Sequence, residues 1–303
     1  MEPFAAPDRL DPQFKSFLQR ACFDLCKWMS EASKGKPLPS GILMPEVSPH
    51  LQGLSEDELL NDLKLIMEGS YQPSHPGALA HLDPPPLTAS IVADLISAGI
   101  NNNLLAEELS PIISKLERDV CKWLAKELGM PVKAGGVAAS GGTLSNLMAL
   151  VVARKHLGLE CSNDLVIFAS EDSHVSLIKA LTVMGLPKDS LILVPIDIEG
   201  RMCIQSLKNI VKESKLKGRK CFAIVGTAGT TVRGAIDPLE ELADFCSKED
   251  IWFHVDAAIG GVFCLSENTS YLIKGISKAN SITLNPQKLL GITKTSSVLL
   301  LSD

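Results

Sequence analysis

From residue 165 onward, short apolar runs alternate with segments in which apolar residues recur at helical spacing. In one such segment, Asp237–Ser247, Asp237 is the predicted cap and Glu240 completes a capping box. Strands alternating with helices predict an α/β fold, in which a mainly parallel sheet is flanked by helices. The predicted buried strands are Leu165–Ala169, Leu191–Pro195, Cys221–Val225, Ile251–Val255, Ser281–Leu284 and Ser297–Leu301.

The first seventy or so residues have a different pattern, with two helical segments and two proline-rich stretches. Helices are predicted over Asp11–Glu31 and Glu56–Gly69, and the segments 37–49 and 73–86 contain four and five prolines. We therefore predict an N-terminal helical segment over residues 1–72 and a larger domain over residues 73–303. Within that domain, Ser110 and Pro111 begin a further predicted helix.

Composition and charge narrow the class of protein. Apolar residues make up 46% and charged residues 21% of the chain, which is typical of folded globular proteins and excludes disordered and fibrous classes. The longest apolar stretch, Leu147–Ala153, is far shorter than the ~18 residues of a membrane span, so no membrane association is predicted. The net charge of −6, with scattered basic residues, makes nucleic acid a poor candidate partner.

The eight cysteines are dispersed and form no C-x-x-C pair or Cys/His spacing. This pattern suggests neither a metal site nor a disulfide framework. Reduced thiols, together with an acidic and proline-containing N-terminus in place of a signal peptide, predict a cytoplasmic protein.

Polar clusters directly follow four of the predicted strands, where ligands of parallel α/β sheets bind. The small residues Ser140–Thr143 also open an apolar helix, Leu144–Leu157, and such a helix start favours an anion such as phosphate. A helix start that binds nothing would have the same sequence. The four clusters are Glu171–His174, Thr227–Thr231, Asp256–Ala258 and Asn285–Lys288.

Asp256 and Lys288 are the candidate reactive groups of these clusters. A carboxylate at Asp256 follows a run of apolar residues, and burying it is costly unless a cation pairs with it, although a loop or capping aspartate is the alternative. A lysine at a strand end, near a buried acid and a phosphate site, would be desolvated and able to attack a carbonyl carbon. Phosphate site, aspartate and lysine are the three features that pyridoxal 5′-phosphate requires.

Several motifs, in order over roughly residues 70–303, resemble the pyridoxal-dependent group II amino acid decarboxylases, which include glutamate, aromatic amino acid, cysteine sulfinate and diaminobutyrate decarboxylases. The resemblance implies the large domain of the fold-type I pyridoxal enzymes, as in aspartate aminotransferase. The motifs are His75-Pro76 with His81, Ser140–Leu150, Ser173-His174, Thr227–Thr231 followed by Asp237-Pro238, His254–Ala258 and Asn285–Lys288.

The resemblance implies cofactor-binding roles for five residues around the phosphate and the ring. Gly142 and Thr143 match the family's phosphate-binding positions, and Asn285 matches a residue near the phosphate. Thr227 and Ala258 match positions beside the cofactor ring.

Five further residues match positions of the reacting centre. Asp256 matches the partner of the pyridine nitrogen, and Lys288 matches the lysine that forms the Schiff base. His174 matches the imidazole that stacks on the ring, although a helix-start cap is the alternative. His75 and His81 fall in the segment on the substrate side, where ordinary loop histidines are equally compatible with the sequence.

The implied function is pyridoxal phosphate-dependent decarboxylation of an L-amino acid to an amine through a Lys288 Schiff base. The implied assembly is a homodimer with the site at the subunit boundary and residues 1–72 packed on the partner. Two alternatives stay open: an aminotransferase or carbon–carbon lyase on the same fold, and a noncatalytic cofactor-binding, dimerising or regulatory protein.

The sequence departs from the family pattern in two places. Gln287 replaces the usual histidine before the lysine, and the chain ends at Asp303, before the family's mobile catalytic loop and C-terminal small domain. We therefore expect the small domain to be absent and the 303-residue form to bind cofactor weakly and decarboxylate poorly by itself.

Overall fold

The computed structural model describes residues 4–41, 43–48, 51–79 and 82–303, which divide into two compact units, residues 1–85 and 86–303. In the first unit, helix α1 spans Pro12–Ser30 and helix α2 spans Glu56–Glu68, which confirms both helices predicted there. Asp11 caps α1, and a capping box opens α2. The division predicted at residue 72, with its role in dimer packing, stays a prediction.

The second unit is built on a mixed sheet of seven strands, counted over the described residues. The order of strands is β1-β7-β6-β5-β4-β2-β3, in which β7 is antiparallel to both of its neighbours and the other pairs are parallel. This confirms the predicted α/β class with a mainly parallel sheet. The strands are β1 (Gly135–Ala139), β2 (Leu165–Ser170), β3 (Leu191–Val194), β4 (Lys220–Thr227), β5 (Trp252–Asp256), β6 (Ser281–Leu284) and β7 (Ser297–Leu301).

Helices connect the strands and flank the sheet. The α-helices of this unit are α3 (Thr88–Ile100), α4 (Pro111–Glu127), α5 (Gly142–His156), α6 (Ser176–Val183), α7 (Ile204–Leu216) and α8 (Leu239–Glu249). Short 3₁₀ helices span Ala32–Lys34 in the first unit and Glu107–Leu109, Lys188–Ser190, Gly260–Leu265, Ser270–Ile273 and Ile276–Lys278 in the second. None of the helices in the described ranges has the length and apolar character needed to cross a membrane.

The core lies on both faces of the sheet, because successive strand residues point to opposite sides. On strand β2, Val166 and Phe168 pack in a cluster with α4, α7 and α8. Their neighbours Leu165 and Ile167 pack in a second cluster with α5 and α6. The sheet is therefore covered on both faces, which leaves its carboxyl edge as the place for a site.

One local prediction is wrong. Asp237 does not cap α8 and Glu240 completes no capping box, because the helix begins at Leu239 with no capping side chain among the described residues. Its carboxylate instead accepts hydrogen bonds from the backbone N–H of Met202 at 2.7 Å and of Thr227 at 2.8 Å. Because the backbone N–H of Asp237 also donates to the Thr227 carbonyl, the residue is held beside the end of β4, outside the helix.

Candidate active site

The carboxyl ends of β2, β4, β5 and β6 and the start of α5 surround a cavity of ≈ 240 Å³. Eight of the ten predicted site residues line it: Gly142, Thr143, His174, Thr227, Asp256, Ala258, Asn285 and Lys288. His75 lies in the first unit, where its Nδ1 accepts a hydrogen bond from the Gly77 backbone N–H. His81 lies outside the described residues.

The start of α5 forms one end of the cavity. Its cap residue is Gly141, and no capping side chain is present among the described residues. The first backbone N–H groups of the helix and its dipole therefore favour an anion at this point. A Cβ atom on Gly142 would stand only 3.0 Å from Nδ2 of Asn285, so a larger residue would require the Asn285 side chain or the start of α5 to shift.

Asn285 is held in place by two buried serines. The hydroxyl of Ser297 donates to Asn285 Oδ1 at 2.6 Å, and the hydroxyl of Ser145 lies 2.8 Å from that of Ser297. The amide group lies beside Gly142, where an added Cβ would stand 3.0 Å from its nitrogen and 3.2 Å from its oxygen. Because Ser297 occupies the oxygen, the nitrogen is the atom left to donate. The side chain is therefore a preorganised donor at the start of α5.

Asp256 ends β5 and is only 7% exposed. Its Oδ2 accepts from Nδ2 of Asn146 at 2.8 Å, and its Oδ1 accepts from the backbone N–H of Ala258 at 3.2 Å. Both donors are neutral, so neither supplies the counter-charge that a buried carboxylate favours. A cationic group in the cavity would supply it.

Thr227 has a buried Oγ1 that contacts no hydrogen-bond partner among the described residues, although the residue lines the cavity. An unsatisfied buried hydroxyl is unfavourable by about 1–3 kcal/mol. A polar atom of a bound group would satisfy it. This hydroxyl, the close approach at Gly142 and the neutral partners of Asp256 are features that fit pyridoxal 5′-phosphate, which has an anionic phosphate and a ring nitrogen that can carry a proton.

His174 borders the cavity just before α6. Its Nδ1 accepts from the backbone N–H of Ser176 at 3.2 Å, so the helix-start contact considered as an alternative is present. Because His174 also lines the cavity, the helix-start contact and a role in binding the cofactor are compatible. The predicted stacking of this imidazole on a cofactor ring stays a prediction.

Lys288 lies in the turn after β6, and its backbone N–H donates to the carbonyl of Asn285 at 3.1 Å. Its side chain is partly buried and lines the cavity. Gln287, at the position of the family's histidine, accepts from the backbone N–H of Ser296 at 2.5 Å through Oε1. Gln287 therefore holds the turn that carries Lys288.

Two buried residues behind Asp256 were missed from the sequence. Asn146 lies one helical turn beyond Gly142 on α5, and His254 lies two residues before Asp256 on β5. Both are polar residues inside otherwise apolar elements, and His254 shares the sheet face of Asp256 because strand residues alternate. This alternation was the signal that could have identified His254.

Comparison with known proteins places the chain in a family. Residues 42–303 match the pyridoxal-dependent decarboxylase conserved domain. The chain is 37% identical over 267 residues to an aromatic-L-amino-acid decarboxylase of Bacillus atrophaeus, covering 85% of this chain and 55% of the relative. It is 34% identical over 263 residues to the cysteine sulfinic acid decarboxylase of Mus musculus, covering 83% of this chain and 52% of that relative. The chain thus spans about half the length of these curated relatives.

Solved structures show the same likeness. The crystal structure of mouse CSAD superposes with a TM-score of 0.90 and 29% identity, covering 97% of this chain and 64% of that one. A second similar structure is the glutamate decarboxylase domain of a diaminobutyrate-pyruvate transaminase and L-2,4-diaminobutyrate decarboxylase from Vibrio parahaemolyticus. It superposes with a TM-score of 0.91 and 28% identity, covering 99% of this chain and 68% of that one.

These likenesses confirm the predicted fold-type I large domain and the resemblance on which the cofactor prediction depended. The cofactor prediction is confirmed at the level of the family, which is pyridoxal-dependent by description. The family match covers most of the chain, including every residue that lines the cavity. The chain therefore belongs to the pyridoxal-dependent decarboxylase family.

Proposed function

We propose that this chain binds pyridoxal 5′-phosphate at the cavity and serves the decarboxylation of an L-amino acid to an amine, a carboxy-lyase reaction of amino acid metabolism. One observation carries the proposal: eight residues, each matched to a role in the family, line a single cavity at the carboxyl edge of the sheet.

The start of α5 would hold the phosphate. Gly142 would allow the anion to approach the backbone N–H groups, and Thr143 would add a hydroxyl at the first turn. The amide nitrogen of Asn285, oriented through Ser297, would be a further donor.

His174, Thr227 and Ala258 line the cavity and would hold the cofactor ring. Asp256 pairs with the protonated pyridine nitrogen, which supplies the counter-charge that its two neutral donors lack. When bound, the cofactor would accept the electron pair that remains on the substrate's Cα atom after the bond from Cα to the carboxyl carbon breaks.

Lys288 would hold the cofactor covalently through its Nζ, a nucleophile for the aldehyde carbon that the cofactor would supply. The position of Lys288 in the turn after β6, on the wall of the cavity, supports this role.

The substrate and the assembly complete the proposal. His75 and His81 lie in the segment that the family places toward the substrate, and we propose the same role for them here. We also propose that the protein is a cytoplasmic homodimer. The dispersed and unpaired cysteines of the described structure support the location. The apolar helix faces that are exposed in one copy support the dimer.

Labelling of Lys288 tests the covalent step. The protein is loaded with pyridoxal 5′-phosphate, reduced with borohydride and mapped by peptide mass spectrometry. We expect the label on Lys288, loss of label in Lys288→Arg, and retention in Lys274→Arg, which changes an exposed lysine paired with Glu240. A label on another lysine would contradict the assignment.

The reaction itself is tested by incubating the loaded protein with acidic, aromatic and basic amino acids. Release of carbon dioxide with formation of the matching amine is the expected result. A 2-oxo acid product would support the aminotransferase alternative. Cofactor binding without any product would support the noncatalytic alternative.

A further inference from the structure

A continuous chain of buried hydrogen bonds runs beneath the cavity to Asp256. It begins at Trp252, passes through Ser281, His254 and Asn146, and ends on the Asp256 carboxylate. His254 and Ser281 are completely buried, and Asn146 is 1% exposed. The chain is separated from solvent except at its end in the cavity.

The fold explains why these residues meet. Trp252, His254 and Asp256 alternate along β5 and therefore share the face that packs toward α5. Ser281 is paired directly with His254 in the parallel ladder of β5 and β6. Asn146 lies on the buried side of α5, one turn from its start.

The donors and acceptors give a consistent direction along the chain when the His254 imidazole is neutral. The Trp252 Nε1–H donates to Ser281 Oγ at 2.8 Å, and that hydroxyl lies 2.9 Å from Nδ1 of His254. Nδ1 also lies 3.2 Å from the backbone carbonyl of Ser281. Nε2 of His254 lies 3.1 Å from Asn146 Oδ1, an atom that can only accept. The Asn146 contact therefore places a proton on Nε2, and in the neutral imidazole Nδ1 accepts from the Ser281 hydroxyl.

Asn146 links the His254 imidazole to the Asp256 carboxylate by hydrogen bonds. Because its Oδ1 is occupied by His254, its Nδ2 is fixed as the donor to Asp256 Oδ2 at 2.8 Å. The same Nδ2 donates to Ser176 Oγ at 2.9 Å. Without His254, the amide could rotate and present its oxygen to the carboxylate.

The neutral state of His254 suits this arrangement. Burial lowers the pKa of the His254 imidazole, against the opposing effects of the Asp256 carboxylate and the Ser281 carbonyl. A neutral imidazole leaves Nδ1 free to accept from Ser281.

We propose that His254 and Asn146 are positioning residues that aim the Asp256 carboxylate into the cavity, and so hold the proton on the cofactor's pyridine nitrogen. The inference rests on the proposed function, because it takes Asp256 as the partner of that nitrogen. A polar chain that served stability alone would not need this directionality, since apolar residues fill such a space at least as well.

The test measures the pyridine nitrogen directly, by the ¹⁵N chemical shift of ¹⁵N-labelled pyridoxal 5′-phosphate bound to the full chain between pH 6 and 9. Asp256→Asn is the reference for loss of the partner. His254→Asn and Asn146→Leu should move the shift toward that reference. Each should also weaken cofactor binding about tenfold, the effect of losing a hydrogen bond to a charged group.

Two variants separate positioning from general damage to the core. A glutamine can place an N–H near the position of His254 Nε2, so His254→Gln should restore the wild-type shift. Ser176→Ala removes the other acceptor of Asn146 Nδ2 but leaves the path from His254 to Asp256 intact, and it should keep the wild-type shift. Thermal unfolding of the cofactor-free proteins identifies any variant that does not fold. Where His254→Asn or Asn146→Leu does not fold, Ser281→Ala takes its place and should move the ¹⁵N shift in the same direction.

The outcomes distinguish the two proposals. If Asp256→Asn changes the shift but His254→Asn and Asn146→Leu do not, the positioning role is overturned and the proposed function stands. If His254→Gln and His254→Asn are equally altered, the role of His254 is structural and the inference also fails. A wild-type shift in Asp256→Asn would overturn the pairing of Asp256 with the pyridine nitrogen and both proposals with it.

Discussion

Gly142 is the position around the cavity where a single added carbon has the least room. Its missing Cβ would lie 3.0 Å from Asn285 Nδ2 and 3.2 Å from Asn285 Oδ1. Asn285 cannot easily swing aside, because Ser297 holds its Oδ1 at 2.6 Å. An added methyl group must therefore shift either the start of α5 or the amide that faces it.

We predict that Gly142→Ala raises the dissociation constant of pyridoxal 5′-phosphate about tenfold or more, from overpacking of about 1–3 kcal/mol. The constant is measured by absorbance titration of the cofactor-free protein. Gly99→Ala in α3 is the control, since a Cβ there meets nothing within 4 Å, and its affinity should equal that of the wild type. Unchanged affinity in Gly142→Ala would show that the cofactor does not depend on this close approach.

Individual residues could be predicted from the sequence where they follow a strand. Asp256 and Lys288 come after apolar runs, so the topology of a parallel sheet brings them to the same edge. His254 lies inside such a run and Asn146 lies near the start of α5, and neither has a visible partner in the sequence. Their role depends on the packing of α5 against β5, because the two residues are 108 positions apart in the chain.

At the scale of elements, Asp237 joins the end of β4 to the segment that leads into α7. Its carboxylate accepts from the backbone N–H of Thr227 in β4 and of Met202 just before α7. Burial raises its pKa to about 6, against the lowering effect of those two N–H groups. The unfolded chain has the ordinary value of 3.8.

This shift has a definite sign for stability. Because the folded pKa is the higher one, the folded state binds more protons between pH 3.8 and about 6. The contribution of the protonated group is therefore complete below the unfolded pKa and is lost as the pH rises through the folded pKa.

We predict that the free energy of unfolding of the wild type, relative to Asp237→Asn, falls by about 2–3 kcal/mol between pH 4 and 7. Urea unfolding of both proteins at several pH values measures the difference. Asp244→Asn is the control, because Asp244 is an exposed carboxylate paired with Lys278, whose presence lowers the Asp244 pKa. The opposite slope for Asp237 would mean that its two N–H donors outweigh its burial.

Elements were predictable where burial is continuous along the chain. The predicted strands lie in the sheet as β2 to β7, and three of them, β2, β5 and β6, are wholly buried. Strand β1 was missed because it contains two glycines and is partly exposed at the sheet edge. A Cβ on Gly136 would overlap the carbonyl of Leu299, so that glycine is required by pairing with β7, a contact between distant parts of the chain.

At the scale of the whole molecule, apolar side chains on α4 remain outside the core. One side of this helix is buried through Cys121, Leu124 and Ala125. A second row at helical spacing is exposed in a single copy: Ile112, Leu116, Val120 and Trp123. Contiguous exposed apolar surface of this kind marks an interaction site in soluble proteins. The proposed homodimer gives the row a partner, a second copy of the chain.

We predict that the double variant Leu116→Glu and Val120→Glu shifts the protein from dimer to monomer at micromolar concentration, measured by sedimentation velocity. Carboxylates at these positions would have to lose their water in the interface without a cation to pair with. The matched control is Lys122→Glu, which changes the charge at an exposed position of the same helix outside the row and should leave the dimer intact. A wild-type protein that is monomeric while fully loaded with cofactor would contradict the homodimer. A double variant that still dimerises would place the interface on another surface.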